Sequence, residues 1–291
     1  MHHRCMSDLT DELDLSDSER LLANAARSIH RRDAEILLAA CWRRSRSQLL
    51  ATIGEAVPAE VAASFEGARR QRAEGVPVAY LLGRREFWSL DFAVNPAVLV
   101  PRPETELLVQ RVLDLVPASI ASVADLGTGS GAIAIALAHE RPGWRVLGTD
   151  ASDLALAVAR GNGERLAGGR VEWASGDWYA ALGNRRFDVL VSNPPYVAAD
   201  DPVLIEDGLR HEPRTALTPS NDEIGDGFAS LATLINGAPG HLRRGGWLAL
   251  EHGATQGETL RALLVARGFT HVTSHRDLAG HERVTEGKLA P

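Results

Sequence analysis

A glycine-rich run from Asp125 to Gly131 (DLGTGSG) is the first part of the chain whose residue types and spacing suggest chemistry. Glycines let a backbone turn sharply and approach a ligand closely. The run directly follows a predicted strand and precedes a predicted helix, whose free N–H groups and positive dipole end suit an anionic group. A dinucleotide site or a plain tight turn would fit the same run, so it does not identify a ligand by itself.

A carboxylate stands at the end of the next predicted strand. Asp150 lies 19 residues after Gly131, the place and spacing of an acidic residue that accepts hydrogen bonds from ribose hydroxyls. The alternative is that Asp150 caps the helix that begins near Ser152. Together, the glycine run and Asp150 indicate a nucleoside-containing cofactor without choosing which one.

The tetrad Asn193-Pro-Pro-Tyr196 follows a predicted strand, at the sheet edge where ligands bind in parallel folds. Pro194 keeps Asn193 out of the helical region, and two successive prolines fix two φ angles and remove two backbone donors. Such a stiff edge suits a planar group bearing –NH₂. The Asn193 side-chain oxygen and the Pro194 carbonyl can accept its two hydrogens, and Tyr196 adds a flat wall. A proline turn that only ends the strand is the alternative.

The pair Asp177-Trp178 follows a short predicted strand. A carboxylate beside an indole can accept a hydrogen bond from an adenine amine and pack against the ring face. A partly exposed tryptophan without a ligand is the alternative.

The elements that must position these residues alternate from residue 101 onward. The predicted helices cover 104–116, 132–140, 152–166, 228–241 and 256–267, and the predicted strands cover 122–126, 144–149, 170–173, 187–192 and 246–251. This alternation predicts an α/β fold with a mostly parallel sheet covered on both faces. Two further short strands within 268–289 have no helix between them, which predicts an antiparallel hairpin at the end of the sheet.

The first part of the chain has a different pattern. Apolar residues at helical spacing predict helices over 18–29, over a segment that Asp33 caps, over 47–53 and over 58–73, which form a small bundle. Alternating residues 86–94, the turn Asn95-Pro96 and residues 97–100 predict a β-hairpin. We therefore expect a helical domain at 1–82, a hairpin linker at 83–100 and an α/β domain at 101–291.

Composition places the chain among globular proteins. Apolar residues make up 45% and charged residues 24% of the 291 residues, which excludes a disordered, collagen-like or coiled-coil architecture. The start of the chain (Met1 to Leu15) is polar and is not expected to be a secretory signal, and either Met1 or Met6 can be the true start. No apolar run approaches the roughly 20 residues of a membrane span. The two cysteines, Cys5 and Cys41, are expected to be reduced cytoplasmic thiols, and no metal site is expected.

The net charge is −7. A nucleic-acid-binding protein usually carries a basic stripe. The short arginine-rich runs at 43–46 and 69–72 are expected to be solvated helix faces. The charge therefore weakly disfavours nucleic acid as the substrate.

With these motifs together, the chain resembles the class I, seven-stranded S-adenosylmethionine-dependent methyltransferases. Among them it is similar to the protein-(glutamine-N5) methyltransferases that modify peptide chain release factors. The resemblance covers nearly the whole chain and rests on these segments: Asp33 to Leu38, Pro77 to Leu81, Arg85 to Trp88, Val100 to Glu106, Asp125 to Gly131, Ser192 to Tyr196, His211 to Leu217, Leu250 to Gly253 and Glu282 to Thr285. The tetrad alone is shared with enzymes that methylate amines of nucleic acids.

The resemblance implies a Rossmann-like sheet and S-adenosylmethionine as cofactor. It implies that the cofactor lies against Asp125, Gly127, Thr128, Gly129, Ser130, Gly131, Asp150, Asp177, Trp178 and Asn193. It implies that Asn193, Pro194, Pro195 and Tyr196 hold the target glutamine, with Asn193, Pro194 and Tyr196 catalytic. That glutamine belongs to the Gly-Gly-Gln motif of class-1 release factors, and the helical domain helps to hold this partner. A cytoplasmic monomer that acts on neither nucleic acid nor membranes is expected.

Several residues keep open roles. Arg102 and Glu104 line the cofactor pocket or only begin a helix. His211 and His252 are possible proton acceptors, although structural histidines are favoured. Two departures from the family pattern, His281 and Glu286, raise doubt about contacts with the partner.

Two other functions also remain open. One is a methyltransferase that acts on exocyclic amines of nucleic acids, adenine N6 or guanine N2. The other is a non-catalytic factor that binds translation proteins through the helical bundle.

Overall fold

The computed structural model describes residues 17–206 and 208–290. The chain divides into two compact units, the first ending at Leu82 and the second beginning at Gly83. The predicted leader residues, including Cys5 and Met6, lie outside the described residues.

The first unit is a helical bundle, as the apolar spacing predicts. Its helices are α1 (Ser18–Ala25), α2 (Arg31–Cys41), α3 (Arg46–Ala51), α4 (Ala59–Ala73) and α5 (Val78–Leu82). Leu22, Leu38 and Phe65 are buried at its centre. Burial of side chains of this size stabilises the unit by roughly 1.5–3 kcal/mol each.

Helix α2 begins differently from the prediction. His30 is its N-cap, and the His30 ring nitrogen Nδ1 accepts a hydrogen bond from the Arg32 N–H at 3.2 Å. Asp33 lies within the first turn, and its carboxylate accepts a hydrogen bond from Arg72 Nε at 2.8 Å. The predicted Asp33 cap is therefore wrong, because an arginine from α4 takes this carboxylate.

The second unit alternates strands and helices. Its elements are β1 (Arg84–Phe87), β2 (Leu90–Ala93), α6 (Thr105–Leu115), β3 (Ser122–Leu126), α7 (Ala132–Glu140), β4 (Arg145–Asp150), α8 (Asp153–Ala167), β5 (Val171–Ser175), β6 (Phe187–Ser192), α9 (Arg214–Leu217), α10 (Ala229–His241), β7 (Leu242–Glu251), α11 (Gly257–Ala266), β8 (Phe269–Arg276) and β9 (Glu282–Leu289). Short 3₁₀ turns cover Trp178–Leu182, Pro202–Ile205 and Leu209–His211.

Seven strands form one sheet in the order β5-β4-β3-β6-β7-β9-β8. The first five are parallel, and β9 pairs antiparallel with both β7 and β8. This confirms the expected mostly parallel sheet with an antiparallel hairpin at its end.

Successive residues of a strand point to opposite faces of the sheet. One face carries Val123, Val189 and Ala249, which pack in a core cluster with α6 and α7. The other carries Ala124, Leu190 and Leu248, which pack with α10 and α11. The sheet is thus covered on both faces, as the near-continuous apolar strands predict.

The β-hairpin has a different turn from the predicted one. Strands β1 and β2 pair around Trp88 and Ser89, whose φ angles are +53° and +56°. Glu106 Oε1 accepts a hydrogen bond from the Trp88 N–H at 2.7 Å, and Glu140 Oε1 accepts one from its indole Nε1 at 2.8 Å. The predicted turn at Asn95-Pro96 is wrong, because the chain turns at Trp88 and Ser89 and these contacts hold Trp88 in the left-handed conformation that a tight hairpin turn requires.

The hairpin belongs to the second unit. Phe87 and Phe92 are buried in the same core cluster as α6 and α7, with ring centroids 6.0 Å apart at a steep angle. Residues 97–100 do not form the predicted second strand. Val98 and Val100 are instead buried, and the Val100 N–H donates a hydrogen bond to Glu212 at 2.9 Å.

Candidate active site

The predicted site residues meet at one edge of the sheet. The pair Asp177-Trp178 follows β5, Asp150 ends β4, the glycine run follows β3 and the tetrad follows β6. These four strands are consecutive neighbours in the sheet and are all parallel. Segments that are more than sixty residues apart in the chain are therefore side by side.

The glycine run forms a tight loop between β3 and α7. Gly127, Gly129 and Gly131 have φ angles of +73°, +56° and +84°, a conformation that side chains other than glycine rarely adopt. The Thr128 N–H donates a hydrogen bond to the Thr149 carbonyl at 2.8 Å, which ties the loop to β4. A β-carbon on Gly129 would meet no atom within 4 Å, so this side of the loop faces open space.

Asp125 is fully buried below the loop. Its Oδ2 accepts hydrogen bonds from Thr128 Oγ1 at 2.6 Å and from the Ala134 N–H at 3.3 Å. Its Oδ1 has no hydrogen-bond partner among the described residues. Burial raises the pKa of the Asp125 carboxyl to about 7. Asp125 therefore shapes the loop from inside and keeps one polar atom without a partner.

Asp150 holds the other side of the loop. Its Oδ2 accepts a hydrogen bond from the Gly129 N–H at 2.9 Å, and its Oδ1 accepts one from the Ser152 N–H at 2.9 Å. Burial raises the pKa of the Asp150 carboxyl. Ser152, not Asp150, is the N-cap of α8, because its hydroxyl accepts from the Ala155 N–H. The alternative of a helix cap at Asp150 is therefore wrong.

Trp178 lies against the glycine loop. A β-carbon on Gly127 would be 3.4 Å from the Trp178 Cζ3 atom. The Trp178 backbone has a φ of +43°, which directs the chain into the following 3₁₀ turn. Asp177 beside it has an exposed side chain that does not cap this turn. The structure thus brings the indole and the loop together.

The end of β6 and the tetrad that follows it are tied to β3 and to α6. Ser192 Oγ donates a hydrogen bond to the Leu126 carbonyl at 2.6 Å, which links the end of β6 to the start of the glycine loop. Asn193 is half-buried, and its Nδ2 donates a hydrogen bond to Thr105 Oγ1 at 3.2 Å. Thr105 is the buried first residue of α6 and was not among the predicted site residues.

A second unpredicted residue lies behind the tetrad. Glu251, at the end of β7, is 1% exposed, and its Oε1 accepts a hydrogen bond from the Tyr196 hydroxyl at 3.3 Å. Burial raises the pKa of the Glu251 carboxyl to about 7. Its one signal in the sequence is that Glu251 is the last residue of an apolar strand, as Asp150 is, a position that also has an ordinary local explanation.

The tetrad backbone is also packed closely. Gln256 Nε2 donates a hydrogen bond to the Tyr196 carbonyl at 3.2 Å. A β-carbon on Gly227 would be 2.2 Å from the same carbonyl oxygen. The Val197 N–H donates to the Leu217 carbonyl at 2.9 Å. These contacts fix the position of Tyr196 and of the segment that follows it.

Arg102 and Glu104 differ in their contacts. Arg102 forms an ion pair with the buried Glu212, which also accepts a hydrogen bond from the Val100 N–H. Arg102 therefore joins the segment before α6 to the segment after the tetrad. Glu104 is the N-cap of α6, but its side chain makes no capping hydrogen bond.

The histidines fit a structural role. His252 is buried, with Nδ1 2.8 Å from the Gly253 carbonyl oxygen and Nε2 2.8 Å from Thr285 Oγ1. Because a carbonyl can only accept, Nδ1 carries the hydrogen and Nε2 accepts from Thr285. Burial lowers the pKa of His252, so the ring is neutral. His211 lies in the turn Leu209–His211.

The two residues that depart from the family pattern, Glu286 and His281, lie in different surroundings. Glu286 in β9 is buried, and its carboxylate accepts hydrogen bonds from Arg111 Nε at 3.2 Å and from Arg111 Nη2 at 3.0 Å. It is thus an internal ion-pair partner. His281 is exposed in the turn between β8 and β9.

The site fits a nucleoside cofactor. Gly129 faces open space, the indole of Trp178 offers a flat surface beside Gly127, and the unpartnered Oδ1 of Asp125 lies below the loop. Asp150 is half-buried at the end of β4. Within the described part of the chain, no helix has the length and apolar composition of a membrane span.

Two protein-family models match the chain. The model described as "Methyltransferase small domain" matches residues 103–221, and the "PrmC N-terminal domain" matches residues 15–83. The first match contains the glycine run, Asp150, the Asp177-Trp178 pair and the tetrad.

Curated relatives extend over nearly the whole chain. A release factor glutamine methyltransferase of Xylella fastidiosa is 49% identical, and the match covers 92% of this chain and 96% of the relative. One of Burkholderia pseudomallei is 48% identical, with 88% and 91% coverage. Among solved structures, a methyltransferase from Pyrococcus furiosus aligns with a TM-score of 0.54 at 18% identity, covering 78% of this chain and 100% of that one. The structural match supports the fold alone.

Proposed function

The chain belongs to the release factor glutamine methyltransferase family, and from this premise we propose the reaction that it catalyses. It transfers a methyl group from S-adenosylmethionine to the side-chain amide nitrogen, N5, of the glutamine in the Gly-Gly-Gln motif of class-1 peptide chain release factors. The observation that carries this proposal is the link between Ser192 Oγ and the Leu126 carbonyl, 2.6 Å long, because it joins the amide-binding tetrad to the loop that would hold the cofactor.

The glycine loop and the residues beside it would hold the cofactor. The backbone from Gly127 to Gly131 offers its open side to the methionine part, Asp150 accepts from the ribose, and Asp177 and Trp178 line the adenine. A cofactor held there would supply a methyl group on a sulfonium. The target amide nitrogen would bond to that methyl carbon as the carbon–sulfur bond breaks, and one N–H proton would leave to solvent.

The tetrad orients the target. The Asn193 Oδ1 and the Pro194 carbonyl accept the two hydrogens of the glutamine –NH₂, Pro195 stiffens the edge, and Tyr196 forms a wall. Each such hydrogen bond contributes only about 0.5–1.5 kcal/mol net. Correct alignment of reacting groups contributes on the order of 7–11 kcal/mol. The tetrad therefore acts mainly by orientation, and its two acceptors also stabilise the positive charge that develops on the nitrogen.

The remaining partner expectations are part of the proposal. The helical unit helps to hold the release factor, a role consistent with the N-terminal family match over residues 15–83. We also propose that the protein acts as a cytoplasmic monomer and acts on neither nucleic acid nor membranes. The net charge of −7 supports the exclusion of nucleic acid.

The test offers labelled S-adenosylmethionine to the purified chain with four acceptors: a release factor, the same factor with its Gly-Gly-Gln glutamine changed to alanine, total RNA and DNA. We expect label on the intact factor alone. Label on RNA or DNA would overturn the proposed substrate and favour the amine methyltransferase of nucleic acids. Failure to bind the cofactor would favour a non-catalytic binding protein.

A further inference from the structure

We propose that Thr105 and Glu251 are positioning residues that fix the direction of the Asn193 amide, so that its Oδ1 faces the target –NH₂. This inference rests on the proposed function. It concerns two residues outside the tetrad, one from α6 and one from β7.

An asparagine amide can face its site in two ways. With Oδ1 toward the target, it accepts a hydrogen of the –NH₂ group; with Nδ2 toward the target, it offers a donor to another donor. Asn193 Nδ2 is 3.2 Å from Thr105 Oγ1. A threonine hydroxyl can donate or accept, so this contact alone does not fix the direction of the amide.

The carboxyl of Glu251 supplies the direction. An ionised carboxylate can only accept hydrogen bonds. The Thr105 hydroxyl is close enough to this carboxyl to lower its pKa, against the larger effect of burial. When Thr105 donates its single hydrogen to Glu251, its oxygen is left to accept from Asn193 Nδ2. The Asn193 Oδ1 must then point away from Thr105.

Glu251 orders a second member of the tetrad as well. Its Oε1 accepts from the Tyr196 hydroxyl at 3.3 Å. One buried carboxyl is thus connected to Asn193 through Thr105 and directly to Tyr196. Its other oxygen, Oε2, is buried and has no hydrogen-bond partner among the described residues, so it is an acceptor that the hydrogen of the Thr105 hydroxyl can satisfy.

The charged surroundings of Glu251 bear on its protonation. Arg283, from β9, lowers the pKa of the Glu251 carboxyl, and Glu104, next to α6, raises it. Burial is the largest effect and brings the pKa to about 7. Protonation would add a donor to the carboxyl and weaken its control over Thr105. We therefore expect turnover to rise with pH through about 7.

The test compares Thr105→Val with Thr105→Ser. Valine keeps the volume but removes the hydroxyl, whereas serine keeps the hydroxyl. We expect kcat on the release factor to fall about tenfold or more in Thr105→Val, since a small misplacement of a reacting group can cost up to about 10²-fold. We expect unchanged cofactor affinity, a nearly unchanged KM for the release factor, and recovery in Thr105→Ser to within about twofold of wild type.

Thr285→Val is the matched control. Thr285 is also a buried threonine of the second unit, and its hydroxyl contacts His252 rather than the tetrad. Glu251→Gln should lower kcat less than Thr105→Val does and should remove the rise of turnover with pH. If Thr105→Val and Thr285→Val have equal kcat on a factor that the wild type methylates, the inference is wrong while the proposed function stands.

A readout without turnover separates the two proposals. In the ¹⁵N-labelled wild type, the Asn193 side-chain amide should show slow hydrogen exchange, which Thr105→Val should accelerate and Thr105→Ser should preserve. Unchanged exchange in Thr105→Val overturns the inference. Accelerated exchange supports it even if the wild type methylates a different acceptor, a result that would count against the proposed substrate alone.

Discussion

Asn193 is the residue on which the proposed chemistry depends most directly. We expect Asn193→Ala to lose roughly 10²–10³ in turnover, by analogy with removal of one preorganised hydrogen-bonding group from an active site. Cofactor affinity and the unfolding temperature should stay close to those of the wild type, because Asn193 is only half-buried and its side chain makes one hydrogen bond within the described residues. Initial rates with labelled cofactor and calorimetric binding measure both effects.

Asn236→Ala provides a matched control for this experiment. Asn236 is exposed on α10, and its side chain contacts Arg267. Equal turnover in the two variants would remove Asn193 from the catalytic role.

Asp150 holds the glycine loop and, in our proposal, also binds the ribose, and the affinity for the cofactor tests the second role. Its carboxylate accepts from the Gly129 and Ser152 N–H groups, and we propose that it also accepts from the ribose. Asp150→Ala should weaken cofactor affinity at least tenfold, because about 1.4 kcal/mol of lost interaction already has this effect. Calorimetric titration with S-adenosylmethionine measures it, with Asp153→Ala as the control on the adjacent helix. An unchanged affinity would limit Asp150 to holding the loop.

Glu251 should make stability depend on pH. Its folded-state pKa of about 7 lies above the ordinary value of 4.5, so the folded chain binds this proton more tightly than the unfolded chain does. The resulting stabilisation is complete below about pH 4.5 and is lost as pH rises through about 7. Relative to the wild type, Glu251→Gln should therefore gain up to about 1.4 kcal/mol of unfolding free energy per pH unit between pH 5 and 7.

Urea unfolding of the two chains at pH 5, 6, 7 and 8 measures this difference. His252, whose lowered pKa gives the opposite slope, is present in both chains and cancels. A difference that does not change with pH would mean that Glu251 ionises at its ordinary pKa in the folded chain.

Residue types and spacing predicted the glycine run, Asp150 and the tetrad, because each lies at the end of an apolar strand. The run and the tetrad also contain glycines or prolines, which give the backbone special geometry. Thr105 and Glu251 escaped prediction for a physical reason. A threonine at the start of a helix and a glutamate at the end of a strand have ordinary local explanations. Their contact with the tetrad exists only once α6 and β7 are placed beside β6.

At the scale of elements, one aromatic ring packs against the glycine loop, β4 and α8. Trp173 of β5 fills a slot between Gly131, Gly148 and Gly163, where added β-carbons would be 2.9, 2.4 and 2.8 Å from ring atoms. These glycines are therefore needed for close packing. The slot holds the end of the cofactor loop against the helix that follows β4.

Two glycines of α8 give a paired test of this packing. Gly163→Ala should destabilise the second unit by about 1–3 kcal/mol, because the new methyl group meets the rigid ring of Trp173. Gly161→Ala, in the same helix, meets no atom within 4 Å and should stabilise the unit by about 0.5–1 kcal/mol through helix propensity. Denaturant unfolding measures both. Equal changes would show that the slot adapts to the extra methyl group.

Alternation of apolar patterns predicted the order and type of the main helices and strands. It failed at the hairpin and at α2, for the same reason. Trp88 is held in a left-handed turn by Glu106, and Asp33 is drawn from its capping role by Arg72. Glu106 and Arg72 are distant in the chain from the residues that they contact, so the local spacing of residue types cannot predict these contacts.

At the scale of the whole molecule, the order of strands in the sheet is the property that sequence patterns least define. Alternation predicted parallel strands but not that β3 lies between β4 and β6, or that β9 lies between β7 and β8. The resemblance supplied the count of seven strands. The division near residue 82 followed from the change of period along the chain.

We propose that the tetrad holds the target glutamine and that the helical unit helps to hold the rest of the release factor. This arrangement predicts how well the enzyme methylates a short peptide compared with the intact factor. Two hydrogen bonds to the target amide are too weak to provide tight binding, so affinity must come from surfaces distant from the glutamine. We expect kcat/KM for a short Gly-Gly-Gln peptide to be at least 10²-fold below that for the intact factor, mainly through KM. Labelled transfer to the two acceptors measures the ratio, with a Gly-Gly-Glu peptide as the blank. Equal values would show that the factor is recognised through the glutamine segment alone.

The place of β9 inside the sheet has a consequence for how the molecule is made. β9 follows every other strand in the chain, yet it fills the gap between β7 and β8. During synthesis on a ribosome, one edge of β7 therefore stays unpaired until residues 282–289 have emerged. An unpaired strand edge can form hydrogen bonds with another chain. Long-range strand pairing is also slow. An enzyme proposed to act on the factors that end translation thus completes its own sheet only after β9, which follows the other six strands of that sheet along the chain, has been made.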